Sequence, residues 1–364
     1  MAPAGPRVVV VAEGFGDLGP HEAAEQAAAG WSATATHATV EAHASHAGGA
    51  GFAEAVARTL GGTVHPVVVP GPAGGEVPAG IALVERDGTR TAYLDTAQAC
   101  GRHLMDNESL RDPGGMTSAG VGALLTTARG AGADRIVVGV GPLACHDGGV
   151  GLLAALGAGE DLARLPAVRA EWGGVSLVLA TTTEATLLGF GGASALLTEH
   201  HGVAPEVSQR LEGGLGRLSD RVNQVLPPAR DLLTGLPRRP EREAGAGAGG
   251  GVGYALQLLG ARTVPGARLL LDELGLRGRL PGSLLVLVTT AYDGATVHDG
   301  VVAETARAAL ETATPTVVLA GEVAVGRREG MALGVSGSYE PRAGEDLSAT
   351  AARVARTWTP PPRA

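Results

Sequence analysis

A chain of 364 residues exceeds what one hydrophobic core ordinarily supports, so two domains are expected, and an apolar content of 45% is enough to give each its own core. The formal charge of −9 excludes broad affinity for nucleic acid or anionic membranes, because both depend on an excess of cations. All 28 basic side chains are arginines, so any phosphate chemistry must use guanidinium groups, backbone amides or metal.

The first predicted element is a strand over residues 7–12, a short β-branched run bounded by Pro6 and by Gly14 and Gly16, followed by a helix over 20–30. Residues 63–69 read as a second strand, and Pro70-Gly71-Pro72-Ala73-Gly74-Gly75 after it is a breaker expected to mark a domain crossing. Residues 81–84 and 91–95 flank Asp87-Gly88 and read as a hairpin. Small and apolar residues recur at helical spacing over 117–132; residues 135–140 form a buried-type strand, and a helix to about Gly157 follows the glycine-rich loop after it. A strand at 175–179 and a helix at 204–226, opened by Pro205, come next, and 227–250 is the least regular stretch. The last third alternates, with helices at 252–260, 267–277 and 300–312 and strands at 284–289 and 315–319. That is the pattern of parallel strands joined by crossover helices. Residues 341–364 are expected to hold a final helix and to fray toward Pro360-Pro361-Pro362.

Cys100 and Cys145 are the only cysteines, which excludes a disulfide framework and fits a reducing compartment. Five apolar residues precede Glu13, and no later run approaches the roughly 20 needed to span a bilayer. A cytoplasmic protein with no membrane partner is therefore expected.

Three loops are suited to chemistry. The first, residues 139–151, lies between a buried strand and a helix, where glycines let backbone amides approach an anion. Within it Asp147 has the chemistry to hold a metal or take a hydroxyl proton, or simply to cap the helix. The second, Gly245 to Gly253, leads into an apolar helix and is suited to cradling phosphates or to serving as a hinge. A polar, turn-like Arg238 to Glu243 precedes it, which does not fit a dinucleotide fingerprint. The third runs from Thr289 to His298 after a strand, where ligand-facing loops of open α/β sheets sit, and offers Asp293, Thr296 and His298. His37, His43 and His46 have only Glu41 at useful spacing and are read as ordinary histidines, so no metal ligands are assigned.

Taken in order, these stretches resemble the type-I glycerate kinase family. Residues 137–157 look like its GIGGSATNDGGxGxxxALG signature, 245–259 resemble its PGAGAAGGMGxAL loop, and Thr117-Ser118-Ala119-Gly120-Val121-Gly122 is similar to its TSYGTGE start. The resemblance implies a Rossmann-like (flavodoxin-like) domain made from both chain ends, residues 1–66 and 277–364, with a second mixed α/β domain, 67–276, inserted. It implies transfer of the γ-phosphoryl group of ATP to a hydroxyl of glycerate, with Mg2+, so the partners are a small hydroxy acid and a nucleotide. The site residues it implies are Asp147 and Asp293 as catalytic groups. Thr117, Ser118, Gly139, Gly141, His146, Gly148, Gly149, Gly247, Gly249, Gly250, Thr296 and His298 would contact substrate or phosphate.

Charged positions depart from the family. Its PDSFK reads Ala12-Glu13-Gly14-Phe15-Gly16 here, without the lysine, and its ADGGEG reads His46-Ala47-Gly48-Gly49-Ala50-Gly51, without either carboxylate. Its CDVTNPL reads Thr181-Thr182-Thr183-Glu184-Ala185-Thr186-Leu187, and the Glu, Arg and Lys of its TGEGRIDSQTIHGK are absent from 289–300. Phosphoryl transfer depends on positioning and charge neutralisation, so these losses predict a weakened or lost glycerate kinase activity. The alternative expectation is a catalytically inactive protein on the same fold that binds a small anion, a nucleotide or a partner.

Overall fold

The computed structural model describes residues 5–230 and 235–361. Residues 231–234, within the stretch read as least regular, and Pro362, in the terminal proline run, lie outside the described residues. The strands are β1 (Arg7–Ala12), β2 (Thr39–Ala44), β3 (Thr63–Pro70), β4 (Glu76–Arg86), β5 (Thr89–Asp95), β6 (Arg135–Val140), β7 (Ser176–Thr181), β8 (Arg262–Pro265), β9 (Ser283–Tyr292), β10 (Thr316–Val323) and β11 (Val335–Tyr339). They form two sheets in two compact units, one of residues 1–47 and 267–364 and one of residues 48–266.

In the first unit β1 pairs in parallel with β2 and β9, and β10 pairs in parallel with β9 and β11. Counted in chain order within the unit, the strands run 2-1-3-4-5, the flavodoxin-like doubly wound order. Its central strands read as unbroken apolar runs because both faces are covered. Val8, Val10, Val286 and Leu319 pack with Trp31 and Val354 of the helices Pro20–Thr34 and Leu347–Trp358. Val9, Val11, Leu287 and Val318 pack on the opposite face with Val301 and Ala309 of the helix Gly300–Glu311. The Trp31 indole donates to Thr359 Oγ1 at 2.8 Å, so the polar edge of a buried ring is satisfied.

The second unit carries the mixed sheet β3-β4-β5-β6-β7-β8. β3, β4 and β5 are antiparallel neighbours, and β5 through β8 are parallel. Leu94, Val138 and Leu179 from adjacent strands join Leu124, Leu152 and Leu256 from helices in one core, which also buries both free cysteines. Asp87 and Gly88 have φ values of 51° and 77°, the two-residue turn that a tight hairpin between β4 and β5 demands.

The crossings between units fall after residues 47 and 266, whereas the sequence reading placed them at 66/67 and 276/277. The first difference has a local cause. The Pro70–Gly75 breaker is not a crossing but the turn of a hairpin, closed by the Gly71 amide on the Gly75 carbonyl, which commits β3 to the second sheet. The expected helix at 267–277 is a helix Gly266–Glu273 followed by a 3-10 turn at Leu276–Arg279. The helix placed at 252–260 runs to Leu258, and the glycines directly before it, Gly249 to Gly251, take left-handed rather than helical backbone. Strands β2, β8 and β11 and the helices Phe52–Leu60, Leu165–Trp172 and Ala193–His201 were not expected. Among the described residues no helix is long and apolar enough to cross a membrane.

Candidate functional site

The first unit gathers polar groups at the carboxyl ends of β1 and β9, the point where the strand order reverses and ligands of open α/β sheets bind. The Glu13 amide, just past β1, donates to the Val288 carbonyl at 3.1 Å, and the Thr289 hydroxyl donates to Glu13 Oε1 at 2.6 Å. Burial pushes the Glu13 pKa above its ordinary value. Hydrogen bonds from Thr289 and the Val301 amide oppose that rise, and the Asp293 charge adds to it. Asp293 opens its own turn, with Oδ1 accepting from the Ala295 and Thr296 amides at 3.0 Å each and from the Thr296 hydroxyl at 3.2 Å. The Thr296 amide is the main reason its pKa falls below the usual carboxylate range. Asp293 Oδ2 has no hydrogen-bond donor among the described residues. Two neighbouring carboxylates thus have their pKa values pushed apart, which is how functional acid groups are commonly arranged. Thr296 serves the turn, and His298 is exposed, with its carbonyl accepting from Arg307 at 2.8 Å.

Sequence reasoning named Asp293 and did not name Glu13 as a candidate. The signal was present: a carboxylate directly following a fully apolar strand sits at the sheet's ligand-facing end.

In the second unit the two glycine-rich loops meet. The Gly148 amide donates to the Gly250 carbonyl at 3.0 Å, and a side chain at Gly250 or Gly251 would strike Cys145, His146 and Gly148 backbone atoms. Gly249, Gly250 and Gly251 all take positive φ (58°, 64° and 100°), a left-handed turn that residues with a Cβ resist. Gly139, next to last in β6, lies in the core, where its Cα faces Phe52 and the Gly48 carbonyl, while Gly141 lies against Gly49. Gly148 and Gly149 pack on Leu218 and Ala255, and Gly247 on the Thr186 carbonyl.

Asp147 is fully engaged by its own surroundings. Its Oδ2 accepts from the Ser118 amide (2.9 Å), the Ser118 hydroxyl (2.8 Å) and the Gly151 amide (3.0 Å), and its Oδ1 accepts from the Gly149 amide (2.9 Å). The buried Ser118 hydroxyl in turn accepts from the Leu152 amide at 2.9 Å, and Thr117 Oγ1 accepts from Ala119 at 3.2 Å. The carboxylate expected to act on a substrate therefore ties the starts of two helices together. Asp95, at the end of β5, does similar work: only 2% exposed, it accepts from the Gly51 amide at 2.6 Å and the Ala97 amide at 2.9 Å.

A cavity of about 270 Å³ opens where the loops meet, lined by Gly141, Gly249, Gly250, Thr182, His146 and His201, among others. Among the described residues, no arginine belongs to its lining. His201 titrates below its ordinary value, held down by burial, by the Arg102 charge and by His200. His146 is 4% exposed, and its Nε2 lies 2.9 Å from the Ser194 hydroxyl. Burial lowers its pKa from 6.5 to about 4. A histidine so depressed binds fewer protons folded than unfolded between those values, so it opposes folding as pH falls through that window. Acidification from pH 6.5 to 4 is expected to remove up to about 3 kcal/mol of stability through this group. His146→Gln should flatten that part of the stability-versus-pH curve measured by urea unfolding; an unchanged slope would show that His146 does not titrate as placed.

The glycerate kinase family profile matches residues 8–358 of this chain. An uncharacterized protein of Mycobacterium bovis is 34% identical over 322 residues, 88% of this chain and 80% of the relative. The glycerate 2-kinase of Escherichia coli is 29% identical over 299 residues, and the glycerate kinase of Bacillus subtilis 28% over 297, each match covering 76% of this chain and 74% of the relative. A solved structure from Salmonella typhimurium, described as a candidate glycerate kinase 2, superposes with a TM-score of 0.75 at 24% identity, covering 97% of this chain and 98% of its own. That likeness concerns the fold.

Proposed function

Because this chain belongs to the glycerate kinase family, we propose that it transfers a phosphoryl group from ATP to a small hydroxy acid of the glycerate type, at a turnover lowered by the loss of the family's charged groups. The observation that carries this reading is the Glu13 and Asp293 pair at the switch point of the doubly wound sheet.

Magnesium fits that pair on the chemistry of its donors: two carboxylates, one with an oxygen free of protein donors, are the hard oxygen ligands this ion takes alongside phosphate. When bound, it neutralises charge on the phosphates of the nucleotide. Asp293, ionised across the neutral range, holds its place through the Thr296 turn, and Glu13 is held by Thr289 and the amino end of the helix Gly300–Glu311. The second unit's cavity suits a small hydroxy acid: backbone and hydroxyl groups at Gly249, Gly250 and Thr182 line it, and burial favours the neutral forms of His146 and His201.

Such chemistry works mainly through positioning and electrostatics, and the lysines and several carboxylates of the family's motifs are replaced here. Coupled ADP release with millimolar glycerate and Mg2+ is expected to exceed a glycerate-free blank but to stay below about 1 s⁻¹, the lower end for kinases. Traces indistinguishable from the blank would overturn the reading. A binding protein without turnover is the second reading, favoured by the absence of arginine from the cavity lining. It predicts thermal stabilisation by glycerate that follows ligand concentration, with no ADP formed.

A further inference from the structure

The first unit has a second cavity, of about 650 Å³, between the helix Arg327–Ala332 and the edge strand β11, with Tyr292, Arg327, Gly330, Met331, Ser338 and Tyr339 in its lining. That volume lies within the roughly 300–1,000 Å³ of small-molecule sites. Tyr292 is 1% exposed, and its hydroxyl has no hydrogen-bond partner among the described residues. Buried phenols normally find one, so this lining carries a polar group that a ligand acceptor would satisfy. A Cβ at position 330 would stand 3.1 Å from that hydroxyl, so glycine keeps the approach open. Tyr339 is fixed by the Trp358 indole, which donates to its hydroxyl at 2.8 Å, and so offers a rigid ring.

The cavity is joined to the carboxylate pair through the backbone. Tyr292 immediately precedes Asp293, and its carbonyl accepts from the Ala324 and Val325 amides at 2.8 and 3.2 Å, which locks the cavity wall to the Asp293 turn. A three-carbon acid would leave most of the space unfilled, whereas a base and ribose match its size and its mix of hydroxyl and ring surface.

We propose that this cavity holds the nucleoside part of a nucleoside triphosphate, with the Tyr292 hydroxyl donating to a ring nitrogen or ribose oxygen and Arg327 supplying the cation of the lining. The assignment rests on the kinase reading above, from which it takes the donor nucleotide, and adds the location of the base and ribose.

The test uses the full chain and three probes: ATP, adenosine and inorganic triphosphate, each titrated by calorimetry. Tyr292→Phe is expected to weaken ATP and adenosine about three- to tenfold, as loss of one hydrogen bond would, and to leave triphosphate unchanged. The same substitution should raise the KM for ATP without altering that for glycerate. Hydrogen exchange with adenosine bound should show added protection over residues 324–339. If the parent and Tyr292→Phe bind ATP and adenosine equally, or if protection falls elsewhere, this site is wrong while the kinase reading stands. If the parent binds no nucleotide and consumes no ATP, both fail together.

Discussion

Glu13→Gln is expected to lower glycerate-dependent turnover by about 100-fold or more while leaving the protein folded. The amide keeps the shape of the carboxyl and one acceptor oxygen, but it removes a negative charge from the pair proposed to hold a divalent cation. The variant should also need more Mg2+ for half-maximal rate. The same group sets a pH dependence. Burial raises the Glu13 pKa, so activity that requires its ionised form should decline on acidification at a higher pH than an exposed carboxylate would dictate. Stability has the opposite sign. With a raised folded pKa, the protonated group favours the fold, and that contribution is lost as pH rises through the folded value. The Gln variant should therefore be at least as stable as the parent at pH 7. Turnover within about twofold of the parent would remove Glu13 from the machinery.

Asp147→Ala is expected to destabilise the second unit by about 3 kcal/mol or more, because three amides and one hydroxyl lose their acceptor at once. Asp147→Asn, which retains one acceptor oxygen, should lose roughly half as much. Urea unfolding measures the total, and hydrogen exchange should localise the opening to residues 117–122 and 147–157. The outcome separates two roles that one activity assay would confuse. If Asp147→Ala unfolds like the parent yet loses turnover, the carboxylate is a reacting group; if activity falls only in step with stability, it is a structural tie.

Much of the fold could be read from local pattern. The strands at 7–12, 135–140, 175–179, 284–289 and 315–319 are runs buried on both faces, and such runs announce themselves by composition alone. β2 and β11 did not, because an edge strand buries only part of its surface: Thr-Val-Glu-Ala-His-Ala and Val-Ser-Gly-Ser-Tyr carry too little apolar signal. The Pro70–Gly75 turn was visible as a breaker but not as a hairpin, since its meaning depends on the register of β3 with β4.

The site was less legible. Asp147 sits in the family's signature and invites a catalytic role, yet its partners are set by where residue 118 falls in space. Glu13 and Thr289, 276 positions apart in the chain, meet only because β1 and β9 are neighbours. The unpaired Tyr292 hydroxyl could not be foreseen, because a tyrosine ending a strand ordinarily finds water or a partner.

By itself, the sequence determined the α/β class, the central buried strands, the order of the glycine loops and the family, since each depends on residue type and spacing along the chain. Only the tertiary structure decided which carboxylates are spent on backbone amides and which keep an oxygen free. Hydrogen-bond saturation and desolvation are properties of neighbours in space, and those neighbours come from strand order and loop packing rather than from local pattern.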